Sequence, residues 1–191
     1  MDNLINIDLP FDPLWFVAIA LIFSGVVAYG KSRRLILALS FMATGLFGVY
    51  NFFEVSFVGG YMSMLSIANT AYQASVSDEF LEETKNKRLI LASLIGIAGS
   101  AMMINTGQDI LPLLAFLLVC YADTLSSKLR ILMIYLLTSY LWGSYALFYG
   151  DYWYAASNYI MIVPYLPRII KLWREERDEK ATRLTHYKSP H

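Results

Sequence analysis

The sequence predicts an all-α transmembrane protein of seven helices, arranged as two parallel three-helix repeats joined by an inverting linker helix. Three observations predict it. Apolar residues make up 57% of the chain against 16% charged, a composition too apolar for a water-soluble domain. All 15 Lys and Arg residues fall at one set of alternate segment ends. A short phrase also occurs twice at a fixed offset: LFGVYNFF from Leu46 and LWGSYALF from Leu141 pair Gly48 with Gly143, Tyr50 with Tyr145 and Phe53 with Phe148, all 95 apart.

Crossing about 30 Å of hydrocarbon takes about 20 apolar residues in a helix. Seven segments come close, at about 13–30, 34–53, 57–76, 89–105, 110–125, 130–149 and 152–173. Glu54 with Gly59-Gly60 divides the second from the third, and Tyr149-Gly150-Asp151 divides the sixth from the seventh. The N-terminus MDNLINIDLP carries acids where a secretory signal carries Lys or Arg, so the first segment is expected to be retained.

Charge orients the bundle. Lys31, Arg33 and Arg34 follow the first segment, Lys85, Lys87 and Arg88 the third, Lys128 and Arg130 the fifth, and the other seven basic residues, from Arg168 on, end the chain. The opposite ends hold only acids: Asp2, Asp8, Asp12, Glu54, Asp109 and Asp151. Since Lys and Arg stay cytoplasmic, seven spans with the N-terminus outside and the C-terminus inside satisfy all of them.

The stretch 75–88 reads as a short cytoplasmic helix capped by Ser77, with acids in its first turn and basic residues in its last. The tail at 176–191 is highly charged and extends the last helix before fraying; it carries both histidines, His186 and His191. Cys120 is alone, which excludes an internal disulfide, and reads as a small buried hydrophobe.

Three helices are an odd number, so a directly repeated triplet would come out inverted unless one further helix intervenes. The fourth segment is that inverter. The repeats are then expected at 1–76 and 106–175, with 77–105 holding the loop and linker, and a site is expected between them near mid-membrane. Small residues spaced four apart, Ala92, Gly96 and Ser100 in the linker and Ala20, Ser24 and Ala28 in the first helix, are expected to let helices pack closely.

Polar groups in helix interiors should face the bundle. Asn69 and Asn158 are the leading candidates, since an amide offers two donors and two acceptor lone pairs, suited to a neutral, hydroxyl- or amide-bearing solute. Trp142 should share the depth of Asn158, Ser63 stands opposite Asn158 at the repeat offset, and Gln73 is a further lining candidate. Tyr50 and Tyr145, being repeat-related, are candidates for an outer gate among the belt of aromatic residues. Pro112, Pro164 and Pro167 are candidate hinges.

The stretch 111–174 combines a Leu-Pro entry, a short basic turn, Trp142 late in one helix, Gly143, Asn158 early in the next and an aromatic-basic exit. It resembles the bacterial inner-membrane proteins of the YgjV type, and the triplet-linker-triplet plan over 11–174 resembles the SWEET sugar transporters and the PnuC vitamin transporters. The resemblance to SWEET proteins implies that Trp142 and Asn158 line a solute pocket. The Pro-Gln hinge of many SWEET relatives is absent, and the first triplet offers Phe47 in place of Trp142.

No segment interior holds Lys, Arg, His or Glu. Asp123 lies at a cytoplasmic end, where Lys128 or Arg130 is expected to neutralise it. Downhill movement of a neutral solute is therefore expected rather than ion-coupled pumping. No enzyme, cofactor or metal function is expected, because no acid–base pair, ligand cluster or phosphate loop can be assembled, and a formal net charge of zero gives no bulk field for nucleic acid. The expected partners are the lipid bilayer and the solute, and a homo-oligomer is compatible with both. The alternative is a non-transporting membrane scaffold acting through 75–88 and the tail.

Overall fold

The computed structural model describes residues 12–187; the acids Asp2 and Asp8, and Lys188 and His191, lie outside the described residues. Among those described, the chain is entirely helical, with no strand. The α-helices are α1 (Leu14–Val27), α2 (Arg33–Tyr50), α3 (Phe57–Ser75), α4 (Asp78–Ala101), α5 (Ile110–Asp123), α6 (Lys128–Phe148), α7 (Tyr152–Tyr159) and α8 (Ile162–Tyr187). A π-helical turn, Asn51–Val55, extends α2, and a 3-10 turn, Gly107–Asp109, precedes α5.

Helix starts follow from side-chain caps that satisfy otherwise orphaned backbone N–H groups. Ser32 accepts from the Leu35 amide and Ser127 from the Arg130 amide. Ser56 accepts from the Gly59 amide and Asp151 from the Tyr154 amide. Ser32 and Ser127 stand 95 apart, as do Ser56 and Asp151, which is the offset of the repeated phrase.

Three boundaries differ from the sequence expectation. The division between α2 and α3 is made by Ser56, whose extended backbone and capping hydroxyl stop one helix and start the next. Gly59-Gly60 does not break anything; Gly60 lies inside α3 because a Cβ there would meet Phe52 at 2.6–2.8 Å. The stretch 77–88 and the linker are one continuous helix, α4, with Ser77 as its cap and no turn signal at 88–89 to interrupt it. The seventh segment is broken at Ile160-Met161. Pro164 has no N–H to return to the Ile160 carbonyl, which accepts instead from the Val163 amide at 3.0 Å.

α2 packs against α1 and α3, and α6 against α5, α7 and α8. α3 meets α5, and α1 meets α7 and α8, so the elements close a ring, with α4 lying on α3 and α5. The small-residue stripes do what their spacing predicts. Ala20, Ser24 and Ala28 are buried, and a Cβ on Gly96 would strike the ring of Phe116. At 1.5 Å per residue, the 18 residues of α2 separate an Arg33 end from a Tyr50 end by about 27 Å. The helix Lys128–Phe148, and Arg33–Val55 counting its π-helical turn, are each long and apolar enough to cross a membrane.

Candidate functional site

A cavity of about 70 Å³ lies within the ring, lined by 16 residues drawn from α1, α2, α3, α5, α6, α7 and α8 and by none from α4. Twelve of the 16 form six pairs, each 95 apart: Ser24 with Val119, Ser40 with Tyr135, Ala43 with Thr138, Thr44 with Ser139, Phe47 with Trp142, and Ser63 with Asn158. The lining holds no Asp, Glu, Lys, Arg or His. Its polar groups are hydroxyls and one amide, set against aromatic rings.

Of the sequence candidates, Trp142, Asn158 and Ser63 are brought together here. Asn158 donates from Nδ2 to the Tyr154 carbonyl at 2.9 Å, and the Trp142 ring stands 6.0 Å from that of Tyr145, nearly perpendicular. Gly48 makes room for Ser63: a Cβ on it would lie 2.9 Å from the Ser63 Cβ. Asn69 and Gln73 do not line the cavity; they sit at the Arg33 end.

The sequence reading missed Ser40, Thr44, Tyr135, Thr138 and Ser139. Their signal is spacing. Positions 40, 43, 44 and 47 of α2, and 135, 138, 139 and 142 of α6, follow the i, i+3, i+4, i+7 pattern of one helix face, so the polar members form an inward stripe in otherwise apolar helices.

The Tyr50 end is closed by side chains from both halves of the chain. Tyr50 donates to Asp151 Oδ2 at 2.7 Å, and the hydroxyls of Tyr145 and Ser56 bond to each other. These are one interaction occurring twice, since Tyr50 and Tyr145, like Ser56 and Asp151, are 95 apart. Asn51 Nδ2 donates to the Tyr154 hydroxyl at 2.8 Å, and Tyr154 packs its ring between Phe47 and Tyr50. Nearby, Tyr149 donates to Asp109 at 2.6 Å. Burial opposes ionisation of Asp109, but the Tyr149 hydroxyl and the Asn105 and Thr106 amides outweigh it and hold the carboxyl below its usual range.

At the Arg33 end, Asp123, the last residue of α5, is wholly buried (0% exposed) rather than neutralised by Lys128 or Arg130 at the segment end. Its Oδ2 accepts from Asn69 at 2.9 Å and Thr70 at 2.8 Å, and its Oδ1 from the Tyr135 hydroxyl at 2.7 Å. The neighbouring cation is instead Arg33. Arg33 of α2 reaches the Asp123 and Leu125 carbonyls and, at 3.4 Å, Gln73 Oε1. Lys128 is turned away to the Lys31 carbonyl. The sequence could not reveal this, because Arg33 and Asp123 are 90 residues apart and meet only where the Arg33 side chain, at the start of α2, reaches the end of α5.

No protein-family model, curated protein or solved structure matches the chain.

Proposed function

We propose that the chain is a multi-pass inner-membrane carrier, N-terminus outside and C-terminus cytoplasmic, that lets a small neutral solute cross downhill by alternating access. In this reading α1–α3 and α5–α8 are two parallel repeats related by an axis along the membrane normal, α4 is the inverting linker, and α7 with α8 forms one broken seventh span. The plan is that of the SWEET-like carriers, and the family is the YgjV type.

The observation that carries the reading is the lining of the cavity by six repeat-related pairs from two halves of the chain. Such an axial site, with a hydrogen-bonded closure beyond each end, is the arrangement alternating access requires: each closure opens in turn while the other holds. A membrane setting is supported by an inverted distribution of polarity. Large apolar side chains face outward, among them Ile22 (67% exposed), Leu91 (60%) and Val163 (66%), while Ser40, Ser63, Ser66, Thr70 and Thr138 are buried. Outward apolar surface on that scale is costly in water and favourable in lipid.

Trp142 and Asn158 would hold the solute, with Ser63 opposite; Tyr50 and Tyr145 would form the outer gate. The cavity is well short of the roughly 300–1,000 Å³ of a drug-sized ligand site, so the solute is small or the lining parts to admit it. A lining without charge suits a neutral solute. Candidate solutes are found by a thermal-shift screen of the purified protein against sugars, nucleosides and vitamins, because a bound ligand raises the melting temperature by mass action. In proteoliposomes, Asn158→Ala and Trp142→Ala should each reduce flux of the retained solute by about tenfold or more, equivalent to about 1.4 kcal/mol of lost interaction. Unchanged flux in both variants overturns the site assignment.

A further inference from the structure

We infer that Asp123 is a proton-binding site that latches the Arg33 end of the cavity: ionised, it holds that end shut, and one bound proton releases it. The inference deepens the carrier reading and rests on it for what the latch admits.

Asp123 ties together elements from both halves of the chain. Its carboxylate takes Asn69 and Thr70 of α3 on one oxygen and Tyr135 of α6 on the other, and its backbone carbonyl takes Arg33 of α2. An ionised carboxylate only accepts, and all three side-chain partners donate to it, so the carboxylate form is the one the site is shaped for. A proton on either oxygen removes the negative charge that strengthens all three bonds, and a hydroxyl that accepts the new O–H no longer donates to the carboxyl. All three bonds are then weakened from charge-assisted to neutral, and each is a bond between helices.

The ligand is a proton rather than a metal ion. Oxygen ligands for a cation are lacking, since Asn69, Thr70 and Tyr135 turn donors toward Asp123, and no cluster of three metal-ligating side chains exists among the described residues. Communication with the cavity runs through Tyr135, which lines the cavity and donates to Asp123 Oδ1 at 2.7 Å. Protonation therefore weakens the hold on a hydroxyl that borders the cavity as it loosens the closure. The other titratable or charged groups around the site are Arg33 from α2, Arg88 from α4 and Cys120 on α5 itself, with Tyr165 of α8 beside Tyr135.

The test uses the full chain in lipid nanodiscs, with Cys120→Ala removing the native thiol and spin labels on cysteines at Ser75 of α3 and Arg130 of α6, both exposed near this end. Acidification from about pH 8 to about pH 5 spans the values met by perturbed carboxylates. The distance distribution should shift to longer values as pH falls, and the infrared band of a protonated carboxylic acid should appear in parallel. Asp123→Asn should give the longer distance at both pH values and lack the band. Where that variant does not fold, Tyr135→Phe, which deletes one of the three donors, should increase the long component at the higher pH. A distance independent of pH, or a band that persists in Asp123→Asn, overturns the inference. The carrier reading fails separately: a pH-dependent latch in a protein that moves no solute removes transport and leaves the latch, whereas solute flux with a pH-independent distance removes the latch alone.

Discussion

At the scale of single residues, the repeated phrase is explained by contacts. Gly48 and Gly143 occupy equivalent positions, yet they make room for different things. A Cβ on Gly48 would press on the Ser63 Cβ at 2.9 Å, an atom fixed to the backbone of α3, whereas a Cβ on Gly143 would press on the ring of Tyr159 at 2.8 Å, which can rotate away. Gly48→Ala should therefore destabilise the protein by about 1–3 kcal/mol, in the range of overpacked sites, and Gly143→Ala by less. Thermal unfolding of both variants in one detergent checks the order; equal losses would show that both neighbours yield alike. That Trp142 and Asn158 line one cavity was legible from their common depth in successive helices. Asp123 was misjudged because its neighbours arrive from α2 and α3, far away in sequence.

At the scale of elements, helix positions were legible from hydropathy and their boundaries from capping chemistry. Ser77 caps α4 as expected, while Ser32, Ser56, Ser127 and Asp151 start other helices at sites where the sequence reading relied on charge and glycine. Hydropathy falls across 77–88, which suggests a separate element, but backbone hydrogen bonding is indifferent to hydropathy and α4 runs on without a break. Pro164 did interrupt the last segment, because a missing N–H acts locally whatever surrounds it. Since α4 contributes nothing to the cavity, its covalent link to α5 should be dispensable. Coexpression of residues 1–103 with 104–191 should reassemble by copurification and retain flux; failure to copurify would assign α4 and its connection a role in shaping the bundle.

At the scale of the whole molecule, the ring of helices was legible only through the 95-residue offset, since nothing in hydropathy says which helices touch. The structure adds that five of the six paired lining positions come from just α2 with α6 and α3 with α7. The members of each pair are unequal in size. In five of the six pairs, among them Ser40 with Tyr135, Ala43 with Thr138, Phe47 with Trp142 and Ser63 with Asn158, the bulkier side chain belongs to the later half; Thr44 with Ser139 is the reverse. The void is thus a lopsided mould, roomy where the early half supplies small groups. Evening it out should spoil it: Ser63→Asn would add bulk to the spacious wall and should slow flux more than Asn158→Ser, which thins the crowded one. Comparable flux in the two variants would mean that the solute samples both walls alike, and that the imbalance carries no preference for its orientation.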